Sequence, residues 1–134
     1  MALVTRSANA SIDGTQAEQV LAGNIYAGED LDTVAPCYVG SDGLVYMSNG
    51  TAANAAAGFI GFTAKSYKSG EAVTLFGAGN RFRYGSSLTP GARLFVGATK
   101  GRLDAAATTG DTLGTVVCVT TTDILVTRHN PTAQ

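Results

Sequence analysis

Large apolar residues in this chain come in short runs, and turn residues such as glycine, proline, asparagine, aspartate and serine separate nearly all of them. The runs are Val20-Leu21, Asn24-Ile25-Tyr26, Cys37-Tyr38-Val39, Leu44-Val45-Tyr46-Met47, residues 59–63, 73–76, 82–84, 94–96, 114–120 and 124–127. Many follow one another at about 8 to 12 residues, the spacing of a β-sandwich or barrel. The clearest signal lies at 70–97. In Arg81-Phe82-Arg83-Tyr84 aromatics alternate with cations, which sends both aromatics to one face of a strand and both arginines to the other. Pro90-Gly91 supplies fixed φ and then positive φ, the demand of a type II turn, and Leu94-Phe95-Val96 restarts a strand. Ala52-Ala53-Asn54-Ala55-Ala56-Ala57 is the one helix-prone run, long enough for a single turn at most.

Residues 1–18 are small and polar, with too few large apolar groups to offset the entropy of ordering them alone, and read as an extended N-terminal arm. Residues 19–134 then form one β-rich domain. Within it a phrase recurs. Leu31, Ala35, Gly40 and Gly61 are followed by Val73-Thr74-Leu75, while Leu88, Ala92, Gly97 and Gly114 are followed by Ile124-Leu125-Val126. The offset is 57 for Leu31/Leu88 and Gly40/Gly97 and falls to 53 for Gly61/Gly114, as shorter loops in a second copy would give. The predicted class is all-β: a single compact β-barrel or β-sandwich built from two similar β-meanders, with the arm added.

Composition narrows the functional classes. A chain of 134 residues with nine basic and ten acidic side chains carries a net charge of -1, so no global polycation faces nucleic acid or an anionic membrane. No apolar run nears the roughly 18 residues of a membrane span, and residues 1–6 lack the pattern of a secretory signal. Synthesis in a cytosol is the expectation. Cys37 and Cys118 sit in apolar strand phrases and read as buried thiols. The single histidine, His129, lies near the C-terminus, which leaves no usual nucleophile-base pair. Asp30, Asp32 and Asp42 fit no cation-binding loop and read as turn carboxylates. Gly77-Ala78-Gly79-Asn80 has the glycines of a phosphate loop without its Lys-Ser/Thr, and reads as a hairpin turn. No enzyme, cofactor or metal is predicted.

Arg81, Arg83, Arg93 and Arg102 cluster in and after the central stretch. They make either a solvated face or a patch that docks on an acidic protein surface. Nucleic acid fits less well, because aromatics that would stack on bases face the core.

Ala27-Gly28-Glu29-Asp30-Leu31, Tyr38-Val39-Gly40-Ser41-Asp42-Gly43-Leu44-Val45-Tyr46 and Arg81-Phe82-Arg83-Tyr84-Gly85, followed by Leu88-Thr89-Pro90-Gly91, occur in that order. Over about residues 23–128 the chain so resembles tailed-bacteriophage capsid decoration proteins, also called cement or head-stabilising proteins. The resemblance implies a small β-rich subunit, often a homotrimer, that binds the outside of the expanded capsid across joints between major capsid proteins. It implies no cofactor, no catalytic residue, no nucleic acid and no membrane. Its N-terminal segment commonly engages the shell, so Leu3, Val4 and Arg6 join Arg81, Arg83, Arg93 and Arg102 as candidate capsid contacts. The expected location is the virion surface, after synthesis in the host cytoplasm. The alternative is a carbohydrate- or protein-binding β module of a phage head or tail fibre, though no tryptophan is present to stack on sugars.

Overall fold

The computed structural model describes residues 3–7, 10, 25–51 and 58–128. These form nine short strands and no helix. β1 (Pro36–Val39), β2 (Val45–Met47), β3 (Gly61–Thr63) and β4 (Leu75–Phe76) make one antiparallel sheet in the order β2-β1-β3-β4. β5 (Arg81–Arg83), β6 (Arg93–Val96), β7 (Leu103–Asp104), β8 (Val116–Cys118) and β9 (Asp123–Val126) make the second, in the order β5-β9-β8-β6-β7. The protein is all-β. Each sheet keeps two end strands, so neither closes into the barrel that was one expected form.

Neither sheet is a consecutive meander, because β1 is flanked by β2 and β3, and β6 by β7 and β8. The chain leaves β2 at one edge and returns on the far side of β1. The order β2-β1-β3-β4 thus recurs as β7-β6-β8-β9, and the registers match: Tyr38↔Tyr46 with Phe95↔Asp104, Pro36↔Phe62 with Arg93↔Val117, and Phe62↔Phe76 with Val117↔Leu125. Gly61 therefore stands at the position of Val116, not of Gly114 as the glycine spacing suggested. A glycine common to two phrases is a poor register mark, since it adds no side chain to either face. The Ala52–Ala57 run and His129 lie outside the described residues.

The expected corner is present. Gly91 has φ 86°, and Ala92 N donates to Thr89 O at 3.0 Å, closing a turn with Pro90 and Gly91 at its centre. The 77–80 segment turns as expected, with Gly79 at φ 92°, but it links β4 to β5 in the other sheet and is not a hairpin.

Pairing decides the faces. Phe62 and Phe76 point from the first sheet into a cluster with Phe82, Tyr84, Leu94, Val96, Leu103, Val116, Ile124 and Val126 of the second half. Phe62 meets Phe82 edge-on at 5.1 Å between ring centroids, and burial of each such side chain contributes about 2 kcal/mol. On the opposite face of the first sheet, Cys37, Val45 and Leu75 pack with Ala27, Leu31, Tyr67 and Val73.

The described part of residues 1–18 does not stand off as an arm. Leu3 bridges Asp104, Val4 N donates to Leu103 O at 3.0 Å, and Ser7 N donates to Tyr84 O at 2.9 Å, so this segment lengthens the second sheet at β7. An edge strand with unpaired backbone groups is the physical reason it is held. The rest of 1–18, apart from the buried Ala10, lies outside the described residues.

Candidate functional site

The outer face of the second sheet gathers most of the arginines singled out above. Arg81 pairs with Leu125, Leu125 with Val117, and Val117 with Arg93, which sets four side chains in one row across β5, β9, β8 and β6. Phe82, Ile124, Cys118, Leu94 and Val116 alternate with them and point into the core. Arg81 and Arg93 are exposed, while Val117 and Leu125 are half-buried. Two residues along β5, Arg83 lies on the same face, opposite Asp123.

Acidic residues are scarce on this row. Asp123 accepts from Arg81 Nε at 3.1 Å, with Arg81 55% exposed at its side chain, and such an exposed pair is worth about 0.2–1 kcal/mol. Arg83 Nε is buried without a hydrogen-bond partner.

A cleft of about 370 Å³ opens at one end of this face, lined by Arg93, Leu113, Gly114, Val117, Thr127 and Arg128, among others. Arg93 NH1 donates to Leu113 O at 3.2 Å and Arg128 NH1 to Gly114 O at 3.1 Å. Leu113 is 60% exposed, the most exposed of the large hydrophobic side chains among the described residues. Sequence reasoning missed Arg128 and Leu113, since each stands alone between polar or glycine residues; only the fold sets them beside Arg93. Known proteins do not decide the matter. The chain matches no family model and no curated protein.

The remaining candidates lie elsewhere. Arg102 is half-buried at the β6–β7 turn, where its carbonyl accepts from Gly97 N at 2.7 Å. Arg6 is turned inward: its side chain is 9% exposed, and NH1 donates to Val34 O at 3.1 Å and Gly101 O at 3.4 Å while NH2 meets Asp32 at 3.4 Å. Its charge tethers the two halves of the chain to each other. Leu3 and Val4 line a second cleft of about 420 Å³ with Leu88, Leu94 and Cys118 at its floor and Ser86, Ser87 and Thr89 along its lip.

At the far end of the first sheet Tyr38 stacks on Tyr46 with centroids 5.7 Å apart, and Tyr26 is 45% exposed. Tyr46 OH donates to Asp42 Oδ2 at 2.6 Å, which holds the Asp42 carboxyl below its ordinary range and raises the Tyr46 phenol. Burial raises Tyr38, and the Glu29 carboxylate adds to it. Among the described residues no three metal-ligating side chains gather in one place.

Proposed function

We propose that this protein is a structural virion component that binds the outer surface of an assembled, expanded phage capsid and stabilises contacts between major capsid proteins. The observation that carries the reading is the outward-facing row Arg81-Leu125-Val117-Arg93, its two arginines exposed and its two apolar residues half-buried. By register its counterparts in the first sheet are Phe76, Phe62 and Pro36, all buried. Phe62 and Phe76 form the face by which that sheet packs on the second. The two sheets are, on this reading, two forms of one β unit stacked in a sandwich, and the second unit keeps its stacking face open for a partner.

Arginine around an apolar centre is the composition of protein interfaces. It suits an acidic protein surface, with bidentate pairs giving orientation and Val117 and Leu125 giving burial. Binding only the assembled shell stabilises that state by mass action, repeated at every equivalent site. The role is one of binding, without catalysis or cofactor, in a homotrimer on the virion surface.

Co-sedimentation with expanded capsids that lack the protein tests this. Saturable binding that raises the capsid's disruption temperature is expected, and Arg81→Glu with Arg93→Glu should weaken it roughly tenfold or more. Absence of binding by the unaltered protein would remove the proposal.

One observation favours a second reading, a carbohydrate-binding module: the stacked Tyr38–Tyr46 pair beside exposed Tyr26. Glycan-array binding abolished by Tyr38→Ala would establish it in place of the first.

A further inference from the structure

We propose that the cleft between Arg93 and Arg128 is an oxyanion site for a carboxylate carried on an apolar stem. Resting on the docking reading above, its occupant is an aspartate or glutamate side chain of the surface to which the protein binds.

The two guanidinium groups come from distant parts of the chain, Arg93 at the start of β6 and Arg128 just after β9. Each is held by one NH1 donor to one of two successive carbonyls, Leu113 O and Gly114 O. A guanidinium has five N–H donors, so most of the donors on each remain for a ligand in the planar fork that matches a carboxylate.

Gly114 makes the arrangement possible. It has φ 85°, and a Cβ there would overlap Arg93 Cγ and lie 2.5 Å from Arg93 Cδ, so only glycine lets the Arg93 stem cross this turn. The turn is fixed from beneath by Asp111, whose side chain is fully buried: Oδ1 accepts from Gly114 N at 2.9 Å and Oδ2 from Val96 N at 2.8 Å. Asp111 Oδ1 also stands 3.6 Å from Arg128 NH1. One carboxylate therefore balances two guanidinium groups, and a net positive charge remains over a cleft walled by Leu113 and Val117. The apolar wall distinguishes the ligand. An inorganic anion would leave Leu113 and Val117 uncovered, whereas the methylene groups of an acidic side chain would pack on them.

The site can be tested without the capsid. The uniformly ¹⁵N-labelled full chain is titrated with sodium glutarate, with sodium phosphate, and with sodium chloride at matched ionic strength. Glutarate should shift the Leu113 and Gly114 amides saturably, with half-saturation in the millimolar range, and phosphate should do so more weakly. Chloride should not reproduce the effect. Arg93→Gln and Leu113→Glu change exposed side chains and should each abolish the glutarate shifts while the rest of the spectrum stays in place.

Equal responses to glutarate and chloride, or glutarate shifts that survive Arg93→Gln, overturn the site. A stronger response to phosphate than to glutarate overturns the carboxylate assignment. Capsid binding then tests the occupant: Leu113→Glu should weaken co-sedimentation roughly tenfold, and unaltered binding overturns the occupant. If the unaltered protein takes glutarate but no capsid, the docking reading and the proposed occupant fail together, and the oxyanion site stands.

Discussion

Val34 and Gly91 hold the same corner in the two halves of the molecule. Val34 N donates to Thr63 O at 3.1 Å and Gly91 N to Cys118 O at 2.7 Å, and in each case the residue after the corner accepts in return, Ala35 from Thr63 N and Ala92 from Cys118 N. Both have positive φ, 48° for Val34 and 86° for Gly91. A left-handed backbone costs a β-branched residue about 1–2 kcal/mol, and Val34 bears it because its side chain is fully buried in the core between the sheets.

Opposite substitutions at this corner should therefore act through different terms. Gly91→Ala meets no atom within 4 Å of the new Cβ, so only the backbone strain remains, about 1 kcal/mol. Val34→Gly relieves strain but removes a buried side chain worth about 2 kcal/mol and leaves a cavity in the core, a net loss of at least about 1. Thermal unfolding should show each variant melting roughly 3–5 °C lower. An unchanged midpoint for Gly91→Ala would mean that this corner is not held at positive φ in solution.

Gly50 fastens the first half of the chain to β6. Its N–H donates to Gly97 O at 2.7 Å and its carbonyl accepts from Gly110 N at 2.6 Å. A Cβ there would overlap the Val96 carbonyl oxygen and lie 2.5 Å from Thr108 Oγ1. Because the obstacle is backbone, Gly50→Ala should cost about 2–3 kcal/mol, read as a lower urea midpoint. Gly70→Ala, with positive φ and open space at its Cβ, should cost about 1. Equal losses for the two would show that the close approach at Gly50 is absent.

The N-terminal segment belongs to the fold's stability as much as to any partner. Truncation of residues 1–7 strips the bridge from Asp104 and the guanidinium from the Val34 and Gly101 carbonyls. The melting temperature should fall, in contrast to the near-constancy expected of a free arm. Arg6→Ala alone should cost about 1–3 kcal/mol through the groups it leaves unpaired, whereas Asp32→Asn, at the exposed end of the pair, should cost under about 1. A truncated chain that melts like the full one would restore the free-arm reading.

Alkaline pH should destabilise the protein chiefly through two buried acids, Cys37 and Tyr84. Burial raises the Cys37 thiol above its ordinary 9.0 and the Tyr84 phenol above its ordinary 10.0, so the folded state keeps both protons longer than the unfolded one. Stability is then full below pH 9, declines as pH rises past 9 on account of Cys37, with Cys118 adding to it, and declines further past 10 on account of Tyr84. Denaturant midpoints measured from pH 8 to 11 should fall in that order. Cys37→Ala should soften the first decline. Tyr84→Phe should soften the second, while losing the hydrogen bond that Tyr84 OH accepts from Leu103 N at 3.2 Å. A flat profile for the unaltered protein would contradict the burial of both groups.

Local chemistry was legible wherever one short stretch settles its own geometry. Alternation in Arg81-Phe82-Arg83 fixed which side chains face inward, Pro90-Gly91 fixed a turn, and closely spaced turn residues fixed an all-β chain of short strands. None of these depends on what lies across the sheet. The order of strands, the barrel left open, and the inward turn of Arg6 depend on pairings between residues far apart in the chain. Loop closure costs little more for one partner than for another, so sequence spacing barely discriminates among them. The same holds for the candidate site. That Arg81 and Arg83 lie on the outer face of a strand was written in the sequence; that Arg93 begins the strand read from Leu94, and that it lines one cleft with Arg128 and Leu113, was decided only when β6, β8 and β9 came into register.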